Sequence, residues 1–302
     1  MIRPVAFRMN EQTKVNNHYQ KDLDGLLPAT INTKAQNEFD AFVEKLRAVK
    51  INVVVVDDTI NPDTPDSVFP NNWVSFHESG DVVLYPMFAE NRRLERRDDI
   101  LDIIEDKGFL INDVMDYTSA EEHDVFLEGT GSIVLDRANE IAYCALSSRA
   151  NEELFIEFCE DFEYNPIIFE AFHTVNGKRE HIYHTNVMMS IAETFAIICA
   201  DSIDDKAERK MVLNRLKESG KEVILISENQ VDNFVGNTLQ VHNINNERLL
   251  VMSDSAYKSL TKDQINRIEK HCRILHSNLE TIETFGGGSA RCMMAEVFLP
   301  KV

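Results

Sequence analysis

The chain has 302 residues, with 51 acidic against 31 basic side chains and a formal net charge of −20. That balance excludes the basic footprint of a nucleic-acid binder and repels an anionic membrane surface. A hydrophobic content of 43% suffices for a packed core and is too high for a disordered chain.

In chain order, the opening Met1-Ile2-Arg3-Pro4 lacks the apolar core of a signal peptide. Apolar runs elsewhere stop far short of the roughly 20 residues a membrane span needs. Phe39, Phe42, Val43, Leu46 and Val49 recur at helical period and predict a helix, followed by a strand at 53–56. A first hairpin reads as 73–77, a turn at 78–81, then 82–85. A second reads as 131–135, a turn at 136–140, then 141–146. Leu154, Ile156, Phe158 and Phe162 predict a helix before a strand at 166–169. A third hairpin covers 187–191 and 195–200. Met211, Leu213 and Leu216 mark a helix before a strand at 223–226. A fourth hairpin runs through 238–242, a turn at 243–247, and 248–252. Leu260, Ile265 and Ile268 precede a strand at 273–275, and a fifth hairpin is expected at 291–299.

The hairpins begin at Trp73, Ser132, Val187, Thr238 and Arg291, roughly one per 50–60 residues. No linker or composition shift divides the chain, so one domain over residues 1–302 is expected. Five ββαβ units predict a closed, cyclic α/β array with no free sheet edge; the alternative is an ordinary α/β domain with coincidental spacing. Five scattered cysteines (Cys144, Cys159, Cys199, Cys272 and Cys292) contain no Cys-x-x-Cys pair. They predict reduced thiols in a cytoplasmic protein, not a disulfide frame or a metal site.

Before the five hairpins stand Asp66-Ser-Val-Phe-Pro-Asn-Asn72, Phe126-Leu-Glu-Gly-Thr-Gly-Ser132, Tyr183-His-Thr-Asn186, Val235-Gly-Asn237 and Phe285-Gly-Gly-Gly-Ser-Ala-Arg-Cys292. Cyclic symmetry brings equivalent strand ends to one axis. A thiol, an imidazole, a carboxylate and several amides then share one pocket, which is the equipment of thiol nucleophilic catalysis. Taken singly, Cys292 fits an inert buried cysteine and His184 a satisfied polar residue. Glu128 inside Phe-Leu-Glu-Gly is harder to explain structurally, because an unpaired buried carboxylate is costly.

Leu127-Glu-Gly, His184-x-Asn186 and Gly286-Gly-Gly-Ser-Ala-Arg-Cys-Met, in this order, resemble the guanidino-group-modifying superfamily. Its members include arginine deiminase, dimethylarginine dimethylaminohydrolase and amidinotransferases. The resemblance spans Asn17 to Cys292 and implies the pentein fold, a five-bladed α/β-propeller. It also implies Cys292 as nucleophile, His184 as general acid/base at the start of an H-x-D-like motif, and Glu128 as the acid that supports His184 and holds substrate nitrogen. Asp66, Asn71 and Asn72 fall on an Asp-x-x-x-x-Glu-Asp segment of the dimethylarginine hydrolases. Arg92 and Arg149 fall where the family holds the substrate α-carboxylate, which suits guanidinium forks. Arg93, Arg96 and Arg97 read as surface arginines. Asn17 matches a ligand-touching position in an N-terminal loop. Gly236-Asn237 and His242 receive no role.

The departures from the family concern the substrate. Asn72 and Asn186 replace carboxylates that grip a guanidinium, and Glu128-Gly-Thr-Gly lacks the acid of Glu-Gly-Gly-Asp. Amides donate as well as accept, so they can address a neutral ureido oxygen. Arginine dihydrolases and succinylarginine dihydrolase carry Asn at such sites. Phe69-Pro-Asn-Asn-Trp73 further resembles a bacterial subgroup of citrulline-utilisation hydrolases in the amidinotransferase family. The implied activity is a Cys-dependent hydrolase of the guanidino or ureido carbon, taking citrulline or arginine to ornithine with release of ammonia. The alternatives are an amidinotransferase with an amine acceptor, and a non-catalytic binding module like the translation-factor relatives of this fold. A third, an oligomeric structural protein, leaves Glu128 and the glycine run unexplained. The expected partner is a small guanidino or ureido amino acid, without metal, cofactor, nucleic acid or membrane; a homo-oligomer is compatible.

Overall fold

The computed structural model describes residues 1–21 and 26–302. Four three-stranded sheets follow one another along the chain. Each starts with an antiparallel pair and ends with a third strand parallel to the second. The first holds Val74–Phe76, Asp81–Leu84 and Asp113–Asp116. The second holds Ile133–Asp136, Ile141–Leu146 and Asn165–Glu170. The third holds Met189–Ile191, Phe195–Ile198 and Glu222–Leu225. The fourth holds Leu239–His242, Arg248–Ser253 and Arg273–Ser277.

Parallel pairing requires a crossover, and each sheet has a helix there: Asp98–Asp106, Glu152–Asp161, Lys206–Glu218 and Lys262–Glu269. Local chemistry starts three of them. Asn151 accepts from the Leu154 amide, Asp205 accepts from the Ala207 and Glu208 amides, and Thr261 forms a capping box with Gln264.

The expected hairpin at 291–299 is not formed. Successive turn hydrogen bonds, Cys292 N to Ser289 O and Met294 N to Arg291 O, curl the start of this segment. The rest makes a single bridge, Phe76 with Val297, and just beyond it Phe109 bridges Lys301. The predicted strand at 53–56 shortens to Val56–Asp57, which pairs in parallel with Ile2–Arg3 after the helix Pro28–Ala48. The helix Asp98–Asp106 and the strand Asp113–Asp116 were not expected; the strand is acidic and largely exposed, so no alternation marks it. An additional hairpin, Phe172–Val175 with Lys178–His181, turns at Asn176-Gly177. No helix among the described residues is long and apolar enough to cross a membrane.

The strand Met189–Ile191 lies between Ile133–Asp136 and Leu239–His242, so first strands are neighbours. The segments just before them also meet: the turn Pro70–Asn72 and the helix Thr185–Met188 both pack on the helix Gly129–Ser132. The helix Pro28–Ala48 turns Ile31, Ala35, Phe39, Phe42, Val43 and Leu46 into a cluster that includes Phe69, Phe285, Cys292 and Met293. Each fully buried large side chain there contributes about 1.5–3 kcal/mol, so the backbone around Cys292 rests on packed core.

Candidate active site

Each segment that enters a first strand delivers a polar side chain to the same region. His184 and Glu128 directly precede the short helices Thr185–Met188 and Gly129–Ser132, and Asn72 closes the turn Pro70–Asn72. His184 Nε2 donates to Glu128 Oε2 at 2.7 Å. Glu128 is fully buried; it also accepts from the Phe88 amide at 3.0 Å and lies 3.4 Å from Arg149 Nη1. Burial pushes Glu128 up, but Arg149, the His184 hydrogen bond and Arg92 outweigh it and hold the carboxyl well below the usual range. Burial lowers His184 to about 4 against the pull of Glu128. The pair therefore rests as a carboxylate and a neutral imidazole. Its Nε2 proton is spent on Glu128, which leaves the Nδ1 lone pair available.

Asp66 lines the same cavity as His184. Its Oδ2 accepts from Asn10 Nδ2 at 2.8 Å and Thr13 Oγ1 at 3.0 Å, while its buried Oδ1 has no partner among the described residues. Burial raises its pKa, against the pull of Arg92. Arg92 is also buried. It grips Glu95 with two bonds at 2.8 and 2.9 Å and donates from Nη1 to Asn72 Oδ1 at 2.8 Å. With its carbonyl taken, Asn72 keeps a buried Nδ2 that has no partner among the described residues.

Gly131 makes room for this arrangement. A Cβ there would lie 2.4 Å from Asn72 Nδ2 and 2.7 Å from His184 Nδ1. The position where the sequence lacks the acid of Glu-Gly-Gly-Asp is thus the space used by the amide and the imidazole.

Cys292 Sγ accepts from Asn237 Nδ2 at 3.1 Å and from Asn186 Nδ2 at 3.6 Å. Arg149 donates to Asn16 Oδ1 and, at 3.1 Å, to the Thr13 carbonyl, and its guanidinium stacks 4.7 Å from the Tyr183 ring. Cys292, His184, Asp66, Asn72, Arg92, Arg149, Tyr183 and Asn17 line one cavity of about 10 Å³, room for about one water. Larger cavities lie elsewhere, among them two of about 330 and 440 Å³. The second of these is lined in part by Asn186 and Thr130.

No protein of curated function matches the sequence. A family profile described as N,N dimethylarginine dimethylhydrolase, eukaryotic, matches residues 3–299. The chain belongs to the N,N dimethylarginine dimethylhydrolase family. Among solved structures it is similar to apo ArgZ, an arginine dihydrolase from the ornithine-ammonia cycle in cyanobacteria. The identity is 16% and the TM-score 0.75, over 100% of this chain and 40% of that one. The chain therefore spans about two fifths of that protein's length. The product-bound N-terminal domain of ArgZ aligns at 16% identity and TM-score 0.71, over 99% of this chain and 98% of that one. A dimethylarginine dimethylaminohydrolase adduct with S-methyl-L-thiocitrulline aligns at 14% identity and TM-score 0.61, over 97% and 96%. Together these put the chain in the guanidino-group-modifying superfamily, with a mixed α/β fold of the pentein type.

In this family member the positions singled out from the sequence fall into four groups. Cys292, His184, Asp66, Asn72, Arg92, Arg149 and Asn17 line the cavity, with Glu128 one hydrogen bond behind His184. Asn186 touches the sulfur and the Thr130 carbonyl and borders the larger cavity. Asn71 is buried but directed toward Thr130 Oγ1 at 3.4 Å, away from the lining. Arg93, Arg96 and Arg97 lie outside the cavity, Arg96 in a two-bond pair with Glu121. Sequence reasoning missed Glu95, Asn10, Thr13 and Asn237. Asn237 had a signal, its place in the repeat phase before the fourth hairpin. Asn10 and Thr13 had none, because they belong to an irregular N-terminal segment.

Proposed function

We propose that the chain is a thiol-dependent hydrolase of the guanidino or ureido carbon of an arginine-type amino acid, taking citrulline or arginine to ornithine. One observation carries the reading: Cys292 and His184, the latter backed by Glu128, line one buried cavity with Asp66 and Asn72, whose Oδ1 and Nδ2 have no partner among the described residues. An acceptor beside a donor matches the N–H and C=O edges of a ureido group.

The thiol proton passes to His184 Nδ1 and Sγ adds to the guanidino carbon. A carbon–nitrogen bond breaks as His184 returns that proton to the departing nitrogen. Ammonia leaves, and a thiouronium remains on the sulfur. Water then adds, giving a proton to His184, and the carbon–sulfur bond breaks to yield citrulline. In a second round Sγ adds to the ureido carbon, ammonia leaves a thiocarbamate, and hydrolysis releases a carbamate that decomposes to ornithine and carbon dioxide. Asp66 holds substrate nitrogen and Asn72 holds the ureido oxygen. Arg149 takes the α-carboxylate in exchange for Asn16. Arg92, whose fork is filled by Glu95, serves by fixing the Asn72 amide. Because the cavity holds about one water, the segment carrying Asn10, Thr13 and Asn17 moves aside to admit an amino acid.

The same reading takes Ile2–Arg3, Val56–Asp57 and the segment around Val297 as one interrupted unit that closes a five-bladed propeller. The Phe76–Val297 bridge supports it by tying the C-terminal segment to the first sheet.

The test incubates purified protein with arginine, citrulline, agmatine and methylated arginines, with ammonia and ornithine quantified by mass spectrometry. Ornithine and ammonia are expected from citrulline or arginine, with agmatine poor for want of a carboxylate. Cys292→Ala is expected to lose at least a thousandfold in rate while keeping its circular dichroism spectrum. Normal turnover in that variant removes the covalent mechanism.

A further inference from the structure

We propose that Asn237 is a catalytic residue whose side-chain N–H stabilises the thiolate that forms when the Cys292 thiol gives up its proton. The inference rests on the reading of Cys292 as nucleophile. Asn237 Nδ2 lies 3.1 Å from Cys292 Sγ and 3.2 Å from the Asn186 carbonyl oxygen. Both neighbours are acceptors, so the amide nitrogen belongs on this side. The opposite atom, Oδ1, is buried and unpartnered. Leaving a buried acceptor unmade is costly, so the side chain is not there to satisfy its own oxygen; what its burial achieves is the donor on sulfur.

The backbone is built to aim that donor. Asn237 N donates to Phe234 O at 3.0 Å, and Asn237 O accepts from Arg291 N, next to the cysteine, at 3.4 Å. Gly236 lies flat against the helix Thr185–Met188, where a Cβ would come 2.2 Å from the Val187 carbonyl. The Gly-Asn pair therefore presses this turn onto the helix that carries Asn186, the second, longer donor to sulfur at 3.6 Å.

The groups around the thiol supply little competing stabilisation. His184 rests neutral, with Glu128 behind it. Asp66 and Tyr183 offer no positive charge. The Arg92 fork is occupied by Glu95, and Arg149 is held by Asn16 and Thr13. Arg291 is directed to the Met294 carbonyl at 3.2 Å and toward Glu296. Hydrogen bonds to the charged form favour that form, so when the thiol proton passes to His184 the amide donors hold the anion until it attacks carbon.

The experiment measures iodoacetamide alkylation of Cys292 by peptide mass spectrometry at pH 7 and pH 9.5, in wild type, Asn237→Ala and the isosteric Asn237→Asp. The rate at pH 9.5 reports access to the thiol, so the ratio of the two rates isolates ionisation. The ratio is expected to fall several-fold in Asn237→Ala and at least tenfold in Asn237→Asp, with rates at pH 9.5 within twofold of wild type. An unchanged ratio in folded Asn237→Asp overturns the proposal, and that variant decides if Asn237→Ala does not fold. In turnover, the variants should lose kcat at neutral pH and recover part of it at alkaline pH; a uniform loss at every pH also counts against the proposal. Alkylation needs no substrate, so a wild type without hydrolase activity whose variants still show the drop removes the proposed function and leaves the role of Asn237 intact.

Discussion

In the proposed function, the choice between a guanidino and a ureido substrate turns at Asn72 on which end of one amide is free. Arg92 occupies the carbonyl, and the NH₂ left over meets a carbonyl oxygen better than a cation. In Asn72→Asp the second oxygen becomes an acceptor for guanidinium N–H, and a charge-assisted one. The ratio of arginine to citrulline turnover is expected to rise at least tenfold; a ratio equal to wild type sinks the amide argument. Much of the cavity was legible from residue order, because Cys292, His184, Glu128, Asp66, Arg92 and Arg149 each sit in a short recognisable stretch. Glu95 was not, since Arg92-Arg-Leu-Glu95 at the end of a short helix looks like any exposed i, i+3 pair; only its burial reveals it as the clamp on Arg92.

At the level of elements, caps and buried pairs hold the frame that aims these residues. Asp205 caps the helix Lys206–Glu218 with two amide bonds. Asp205→Ala should lower stability by about 1 kcal/mol. Lys221, just before the strand Glu222–Leu225, reaches Asp136 at the end of Ile133–Asp136, with a 3.0 Å contact and both side chains buried. Removing one partner strands the other charge, so Lys221→Met is expected to cost about 3–5 kcal/mol. Urea unfolding measures both; equal losses in the two variants contradict the assignment of the larger effect to the buried pair. Helices with a continuous apolar stripe were readable in advance, as Phe39 to Leu46 and Leu260 to Ile268 demonstrate. Asp113–Asp116 was not, because an exposed third strand needs only its backbone to pair with Asp81–Leu84.

For the whole molecule, pH acts through histidines buried without charge. Burial lowers His77 to about 3 and His173 to about 4. Below the unfolded value of about 6.5, the unfolded chain binds a proton that folded His77 refuses. Its contribution to stability is therefore complete above that pH and lost as pH falls toward 3. His77 stacks on Phe162 and bonds Ser75 Oγ, outside the cavity. In His77→Phe, the drop in urea midpoint between pH 7.5 and pH 5 is expected to shrink by the equivalent of about 2 kcal/mol. A drop identical to wild type shows that His77 does not titrate on unfolding over this range.

Periodicity and short motifs sufficed for the repeating α/β units, the acidic character and the thiol–imidazole–carboxylate set, because hydrophobic patterns of period 3.6 and 2 and a handful of adjacent residues are local properties of a chain. They did not reveal that residues 291–299 curl instead of forming a hairpin, that Asn10 and Thr13 hold Asp66, or that Asn237 sits on the sulfur. The curl is made of local turns that no hydrophobic alternation marks, whereas the contacts of Asp66 and of the sulfur join segments more than 50 positions apart and exist only once the chain has folded. The identity of each partner was set by packing in three dimensions, which no run of neighbouring residues encodes.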